Sequence, residues 1–239
     1  MSIENRTAVI SGATGGLGSQ LARDLASRGA NLALIDIDAA KLEALVAELA
    51  LPERRVFTRV VNLLDPVQAS AAAEAVAARF GHVDILLHVV GGWSGGKTLL
   101  EIPAADLEFM LNQHVWTSFH VTRAFLPHLL SNGWGRIIMV TSPLAARPSA
   151  KSSAYAIAKA GQEALMLTLS QELTGSGVTA NLLQARSIDV KREKLATPTA
   201  AKTSNATTPE ELSAAALYLL SDEAGTINGA KIPMYGSYN

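Results

Sequence analysis

The chain contains no cysteine, so disulfides, zinc–thiolate centres and thiol nucleophiles are excluded from the start. Aromatic residues are scarce at 5%, and abundant alanine in their place points to closely packed helices. No stretch approaches the roughly 18 uninterrupted apolar residues of a membrane span, and residues 1–6 lack the apolar core of a secretory leader. Neither sign of charge dominates. The 20 Lys and Arg against 21 Asp and Glu leave a net charge of −1, with no basic stripe of the kind that holds nucleic acid. His82, His120 and His128 have no spacing to one another or to carboxylates that suits a metal ion, so no metal is expected. These absences leave a soluble cytoplasmic protein with small-molecule partners as the expectation.

What is present is a globular composition, 49% hydrophobic and 17% charged, over 239 residues, which fits one large domain spanning residues 1–239. Short runs rich in Val, Ile and Leu at residues 7–10, 31–37, 56–61, 84–90, 136–141, 179–183 and 230–234 read as seven strands buried on both faces. Between them, residues 17–27, 39–49, 66–79, 103–132, 153–173 and 209–220 read as helices. Asp38 is placed to cap the second helix, and Thr208 with Pro209, Glu210 and Glu211 to open the last. Regular β–α alternation predicts an α/β fold of three layers, a doubly wound, Rossmann-like parallel sheet of seven strands between helices. Residues 187–208 are polar and long for a connection, so they form either a mobile substrate lid or a partly disordered loop.

After the first strand comes Ser11-Gly12-Ala13-Thr14-Gly15-Gly16-Leu17-Gly18, running straight into a helix. Glycines there allow a tight turn and a close backbone approach to a pyrophosphate, which the helix N-terminus then attracts. The second strand ends at Asp36, about 20 positions on, where a carboxylate can accept both hydroxyls of an adenosine ribose and would repel a 2′-phosphate. No Lys or Arg stands at Gly15 or Ile37, so NAD is favoured over NADP.

The fifth strand ends at Ser142, and Tyr155 and Lys159 follow at i and i+4 on one helix face. An ammonium beside a phenol favours the phenolate, so the Tyr155 pKa is expected to fall towards working pH. Ser142, at the carboxyl end of a parallel strand, lies where ligands bind in such sheets.

With these residues in this order, the whole chain resembles the short-chain dehydrogenase/reductase family in its single-domain branch. Thr208-Pro209-Glu210-Glu211, Leu220-Ser221-Asp222 and Asn228-Gly229 extend the likeness. The resemblance implies Tyr155 as proton donor and acceptor, Lys159 on the nicotinamide ribose, Ser142 on the substrate oxygen, and direct hydride transfer. It implies cofactor contacts from Gly12, Thr14, Gly15, Gly16, Leu17, Gly18, Asp36, Asn62, Leu63, Val90, Gly91, Tyr155, Lys159 and Ile188. It also implies homotetramers or homodimers built on the long helices.

The family pattern breaks in places. Its Asn-Asn-Ala-Gly after the fourth strand is His88-Val89-Val90-Gly91 here. His88 either packs the strand end or titrates near neutral pH. The family's relay asparagine aligns to His114, which becomes a candidate fourth catalytic residue, while Asn112 faces another way. Ala185-Arg186 replaces Pro-Gly after strand six, and Val190 replaces a threonine near the carboxamide. Substrate candidates are Trp93, Ser142, Leu144 and Arg186, with Ser94, Pro143 and Arg147 nearby. Trp93 either swings over a ligand or is a plain exposed loop aromatic, and Arg186 either meets an anionic group or is a surface charge. The leading reading is an NAD(H)-dependent secondary alcohol dehydrogenase or ketone reductase. Its rivals are an NADPH-dependent 3-oxoacyl thioester reductase and a non-catalytic dinucleotide sensor.

Overall fold

A β-branched, apolar strand buried on both faces needs helices above and below it, and this requirement sets the architecture. A computed structural model describes residues 3–193 and 205–235. It has strands β1 (Thr7–Ser11), β2 (Asn31–Asp36), β3 (Val56–Val60), β4 (Ile85–His88), β5 (Gly135–Thr141), β6 (Val178–Gln184) and β7 (Lys231–Pro233). They form one parallel sheet in the order β3-β2-β1-β4-β5-β6-β7. Successive residues feed opposite layers. Ala8 and Ile10 of β1 join one apolar cluster with Leu21 and Leu25, while Val9 joins the other with Val76 and Phe125. Burying one such Leu, Ile or Val side chain contributes about 1.5–3 kcal/mol, so the alternation stabilises both layers. The edge strands β3 and β7 are largely exposed, which corrects the expectation that all seven are covered on both faces.

The helices are α1 (Gly16–Ser27), α2 (Ala39–Leu49), α3 (Pro66–Phe80), α4 (Ala104–Leu111), α5 (Thr117–Leu130), α6 (Ser153–Glu172) and α7 (Pro209–Leu219). The Asp38 side chain caps α2 through the Lys41 N–H, and Thr208 with Glu211 forms a reciprocal capping box at α7. The sequence suggested one helix over residues 103–132. Instead, a wide π turn at Asn112–Trp116 separates α4 from α5. Such a turn inserts a residue and re-aims side chains, and it is common at functional sites. Here it buries His114 beneath the end of the sheet and points Asn112 and Gln113 at the adjoining crevice.

The strand order reverses between β1 and β4, and the crevice beyond their carboxyl ends is where doubly wound sheets bind ligands. Of residues 187–208, residues 194–204 lie outside the described residues. The flanks are tied together by a bridge between Ile188 and Thr207.

Candidate active site

The turn after β1 is built from backbone. Gly12 adopts φ +78°, and a Cβ there would stand 2.9 Å from the Val90 nitrogen, so both conformation and space demand glycine. A side chain at Gly18 would run into the Gly12 carbonyl, and one at Gly16 into Val190. Gly15 is the N-cap of α1 and offers no side-chain cap, and no acidic residue occupies the first turn. The first amides of α1 are thus left without a side-chain acceptor at the positive end of the helix dipole, an arrangement suited to a diphosphate.

Asp36 stands on the rim of an adjoining crevice of 410 Å³ lined by Gly12, Thr14, Asn62, Leu63, Val90 and Gly91. One carboxylate oxygen accepts the Thr14 N–H at 2.9 Å and its hydroxyl at 2.7 Å, and the other accepts the Ile37 N–H at 2.8 Å. A carboxylate has about four acceptor sites, so capacity for a ribose hydroxyl remains. No Lys or Arg is among the described residues lining this crevice. The Asn62 side-chain oxygen accepts the Leu64 N–H at 3.1 Å, which holds the amide at the crevice wall.

Val90 and Gly91 also line a second cavity of 540 Å³, together with Leu17, Trp93, His114, Tyr155, Lys159, Arg186 and Ile188. Among the described residues the Ile188 N–H makes no hydrogen bond, while its carbonyl accepts the Val190 N–H at 3.0 Å. Ser142 follows the carboxyl end of β5, fully buried, and its Oγ accepts the Leu144 N–H at 3.3 Å, leaving its proton free to be donated. That hydroxyl stands beside the Tyr155 phenol. Ser142 and Leu144 open onto a third cavity, of 740 Å³, whose wall Arg186 shares with the second.

The sequence suggested that Lys159 lowers the Tyr155 pKa. In the structure, burial raises the phenol above its ordinary value, and the Ser142 hydroxyl opposes this more weakly. Burial brings the Lys159 ammonium down to about 7, with Glu163 pulling the other way. The physical reason is desolvation, which penalises either charged form in a dry site. Lys159 Nζ lies 5.9 Å from the Tyr155 ring centroid and donates to the Val140 carbonyl and to Gln162 Oε1, both at 2.8 Å. Gln162 Nε2 donates to Ser118 Oγ at 2.8 Å, and the Ser118 hydroxyl donates to the His114 carbonyl at 2.5 Å. A continuous chain of protein groups therefore joins Lys159 to the backbone of the π turn. Glu163 closes the other side, accepting the Thr141 hydroxyl at 2.9 Å and Lys231 at 3.0 Å.

Neither histidine is a neutral-pH titrant. His88 is buried, with Nδ1 2.7 Å from Ser11 Oγ and Nε2 3.4 Å from Thr117 Oγ1. Burial, followed by the Lys159 ammonium and then the neighbouring His114 ring, holds it down to about 3. The packing role of His88 therefore prevails over the titrating one. His114 is likewise held down to about 3, by burial and then Lys159, against the bond to Gly92. Its Nε2 donates to the Gly92 carbonyl at 2.9 Å, which leaves Nδ1 as a buried acceptor beside Gly91, without a partner among the described residues. Its ring meets Tyr155 edge-on with centroids 5.5 Å apart. An orphaned acceptor at the junction of the two crevices, an uncapped helix terminus and glycines without room for a Cβ together fit a dinucleotide.

Of the sequence-derived residues, Gly12, Thr14 and Gly15 of the glycine turn meet Asp36, Asn62, Leu63, Val90 and Gly91 at the first crevice, Leu17 joins Tyr155, Lys159, His114, Trp93, Arg186 and Ile188 at the second, and Gly16 and Gly18 line neither. Gln162, Ser118, Ser11, Thr117 and Glu163 escaped the sequence reading. The available signal was a polar stripe, with Gln162 and Glu163 at i+3 and i+4 from Lys159 and Ser118 at i+4 from His114.

A fold with a dinucleotide crevice at its switch point and a buried Ser–Tyr–Lys group defines a nicotinamide-dependent oxidoreductase. The short chain dehydrogenase family model matches residues 6–200. The chain is 31% identical to D-beta-hydroxybutyrate dehydrogenase of Rhizobium meliloti, over 98% of each protein. It is 33% identical to 2-dehydro-3-deoxy-L-rhamnonate dehydrogenase (NAD(+)) of a Sphingomonas species, over 74% of this chain and 70% of that one. A 3-ketoacyl-(acyl-carrier-protein) reductase structure from Brucella melitensis superposes with a TM-score of 0.87, at 24% identity and 99% coverage of both chains. The chain belongs to the short-chain dehydrogenase/reductase family and is an oxidoreductase acting on a CH–OH group. No helix among the described residues is long and apolar enough to cross a membrane.

Proposed function

We propose that this protein interconverts a secondary alcohol and a ketone with NAD(H), Tyr155 serving as general acid and base. The observation that carries the reading is the Tyr155 phenol beside the Ser142 hydroxyl, in a cavity shared with Lys159 and continuous through Val90 and Gly91 with the Asp36 crevice. The absence of any cation among the described residues lining that crevice supports NAD over NADP, because a 2′-phosphate would meet only Asp36. The Sphingomonas relative carries NAD(+) in its own name.

When bound, the dinucleotide supplies the hydride acceptor for oxidation or the hydride donor for reduction. The amides of Gly16, Leu17 and Gly18 would hold its diphosphate, with Gly12, Thr14 and Gly15 shaping the turn. Asp36 would take the adenosine ribose, Asn62 and Leu63 the adenine side, and the Ile188 N–H the carboxamide. Tyr155 and Lys159 would flank the nicotinamide ribose, where the third N–H of Lys159, beyond those given to Val140 and Gln162, is available.

In oxidation, Tyr155 Oη as phenolate takes the alcohol proton while Ser142 donates to the same substrate oxygen. In reduction, the neutral phenol returns the proton to that oxygen. Because burial favours the neutral phenol, reduction proceeds at neutral pH, whereas oxidation accelerates as rising pH removes the phenolic proton. Lys159, brought down to about 7 by burial, contributes through its N–H groups, two held by Val140 and Gln162 and one left for the ribose. His114 acts as a positioning residue, its ring against Tyr155 and its carbonyl at the end of the Lys159 chain.

The test is NADH oxidation against a panel of ketones, repeated with Tyr155→Phe. We expect turnover to fall by on the order of 10³-fold with NADH affinity retained, at the upper end of what acid–base catalysis contributes. Retained turnover overturns the role of Tyr155. Binding without turnover of any ketone identifies a dinucleotide sensor, and tight NADPH with weak NADH identifies the NADPH-dependent reductase. We read the chain as one domain; of the substrate lid expected at residues 187–208, residues 194–204 lie outside the described residues. We also read it as a cytoplasmic homotetramer or homodimer. Trp116, Phe119 and Ile157, half-exposed on the π turn, α5 and α6, support the oligomer, which sedimentation velocity checks.

A further inference from the structure

The cavity beyond Ser142 differs in charge from the rest of a molecule that is nearly neutral overall. Its wall carries Arg147, Arg186 and Lys231, with Gln184 and Tyr235, and no carboxylate among the described lining residues. Lys231 is already answered by Glu163 at 3.0 Å. The side chains of Arg147 and Arg186 have no ion pair or hydrogen bond among the described residues; Arg186 only lies over the Tyr235 ring, 5.0 Å from its centroid. Tyr235 is itself fixed by donating to Gln184 Oε1 at 3.1 Å, so the ring forms a steady platform under the guanidinium. Arg186 also borders the cavity that holds Tyr155 and Lys159. Two guanidinium groups with no counter-charge among the described residues thus flank the opening at whose floor the reacting oxygen would sit between Ser142 and Tyr155.

From this placement we propose that the substrate is an anionic oxo or hydroxy compound, its carboxylate seated on Arg186 and Arg147 while its carbonyl or hydroxyl meets Ser142 and Tyr155. A guanidinium fork matches a planar carboxylate with two parallel N–H donors, which no neutral group can take up equally well. Placing the charge beyond Ser142, and not in the Asp36 crevice, keeps it away from the dinucleotide and gives the substrate one orientation. The inference rests on the reading of the Ser142–Tyr155–Lys159 group as the site of CH–OH chemistry.

The experiment compares 2-oxo and 3-oxo carboxylic acids with their methyl esters, in the wild type, Arg186→Gln and Arg147→Gln. Direct calorimetric titration of the same compounds into the Tyr155→Phe variant loaded with NADH accompanies the kinetics. Acids are expected to exceed their esters in kcat/KM by about 10- to 100-fold, mainly through KM, the range for a charge-assisted hydrogen bond. Arg186→Gln should bring that ratio close to one and Arg147→Gln should reduce it. Equal use of acids and esters by the wild type overturns the proposal, as does an Arg186→Gln variant that weakens NADH binding and leaves the ratio unchanged. Acids that bind only when Arg186 is present, with no compound turned over by the wild type, uphold the anion seat and overturn the catalytic reading instead.

Discussion

The two sides of the switch point are built on different principles. On the β1–α1–β2 side, binding capacity comes from backbone: glycines without room for a Cβ, an uncapped helix terminus and one carboxylate, Asp36, reached over a short stretch of chain. On the β4–β5–α6 side it comes from side chains brought together from afar. Ser11 meets His88 across 77 positions, Gln162 meets Ser118 across 44, and Lys231 meets Glu163 across 68. Backbone solutions tolerate few substitutions and so leave a recognisable pattern. Side-chain networks can be rebuilt from other residues provided every buried polar group finds a partner. This protein shows both, with an ordinary glycine turn beside a pocket in which histidines stand where the family has asparagines.

Substitutions on each side test that contrast. The largest effect is expected from Gly18→Val. The added side chain cannot avoid the Gly12 carbonyl, so NADH affinity measured by fluorescence titration should fall by more than about 100-fold, or the fold should fail in thermal melting. Near-normal affinity would mean the turn is not the phosphate site. Next, Asp36→Asn removes the repulsion of a 2′-phosphate. The NADH-to-NADPH affinity ratio should drop by about 10- to 100-fold, and an unaltered ratio would remove Asp36 from cofactor choice.

A smaller change should follow on the side-chain face. Gln162→Leu takes an acceptor from Lys159 and disfavours its charged form, which burial already brings down to about 7. The step in the pH profile that follows Lys159 should move down by about half a unit to one unit, while Gln162→Glu moves it up. A purely structural role for Gln162 would lower stability in both variants and leave both profiles in place.

The smallest effect concerns stability in acid. The folded-state pKa values of His88 and His114 are depressed to about 3, so between pH 6.5 and 3 the unfolded chain binds more protons than the folded one. Their contribution to stability is complete above about pH 6.5 and is lost as pH falls through that window. Urea melts of His88→Asn across pH 7 to 4 should show a shallower decline than the wild type, by about 1 kcal/mol or more at the acid end. An identical slope would show that His88 is already protonated when folded.

Much of this was open to a reader of the residues alone. All seven strands were placed within about two residues of their bounds, because apolar runs between turn signals are a local property. The caps at Asp38 and Thr208 were equally local. The edge strands were misjudged, since an apolar run does not say whether a neighbour follows on its far side. The break in the helix at Asn112–Trp116 went unseen because no Gly or Pro marks it; packing of α6 against the turn accompanies it instead. The Tyr155 shift was misjudged for a related reason. A spacing of four residues establishes proximity, but the direction of a pKa shift depends on how much water is excluded, and that is a property of the assembled site.

By itself, then, the chain determined which segments are strands and helices, where the glycine turn lies and that Tyr155 and Lys159 share a helix face, because periodicity, caps and motif spacing act over a few residues. Only the tertiary structure decided that His88 and His114 stay neutral, that Gln162 and Ser118 tether Lys159 to the π turn, and that Arg147 and Arg186 face one cavity with no counter-charge among its described lining residues. Burial and long-range contact set those properties, and neither is written in the spacing of neighbouring residues.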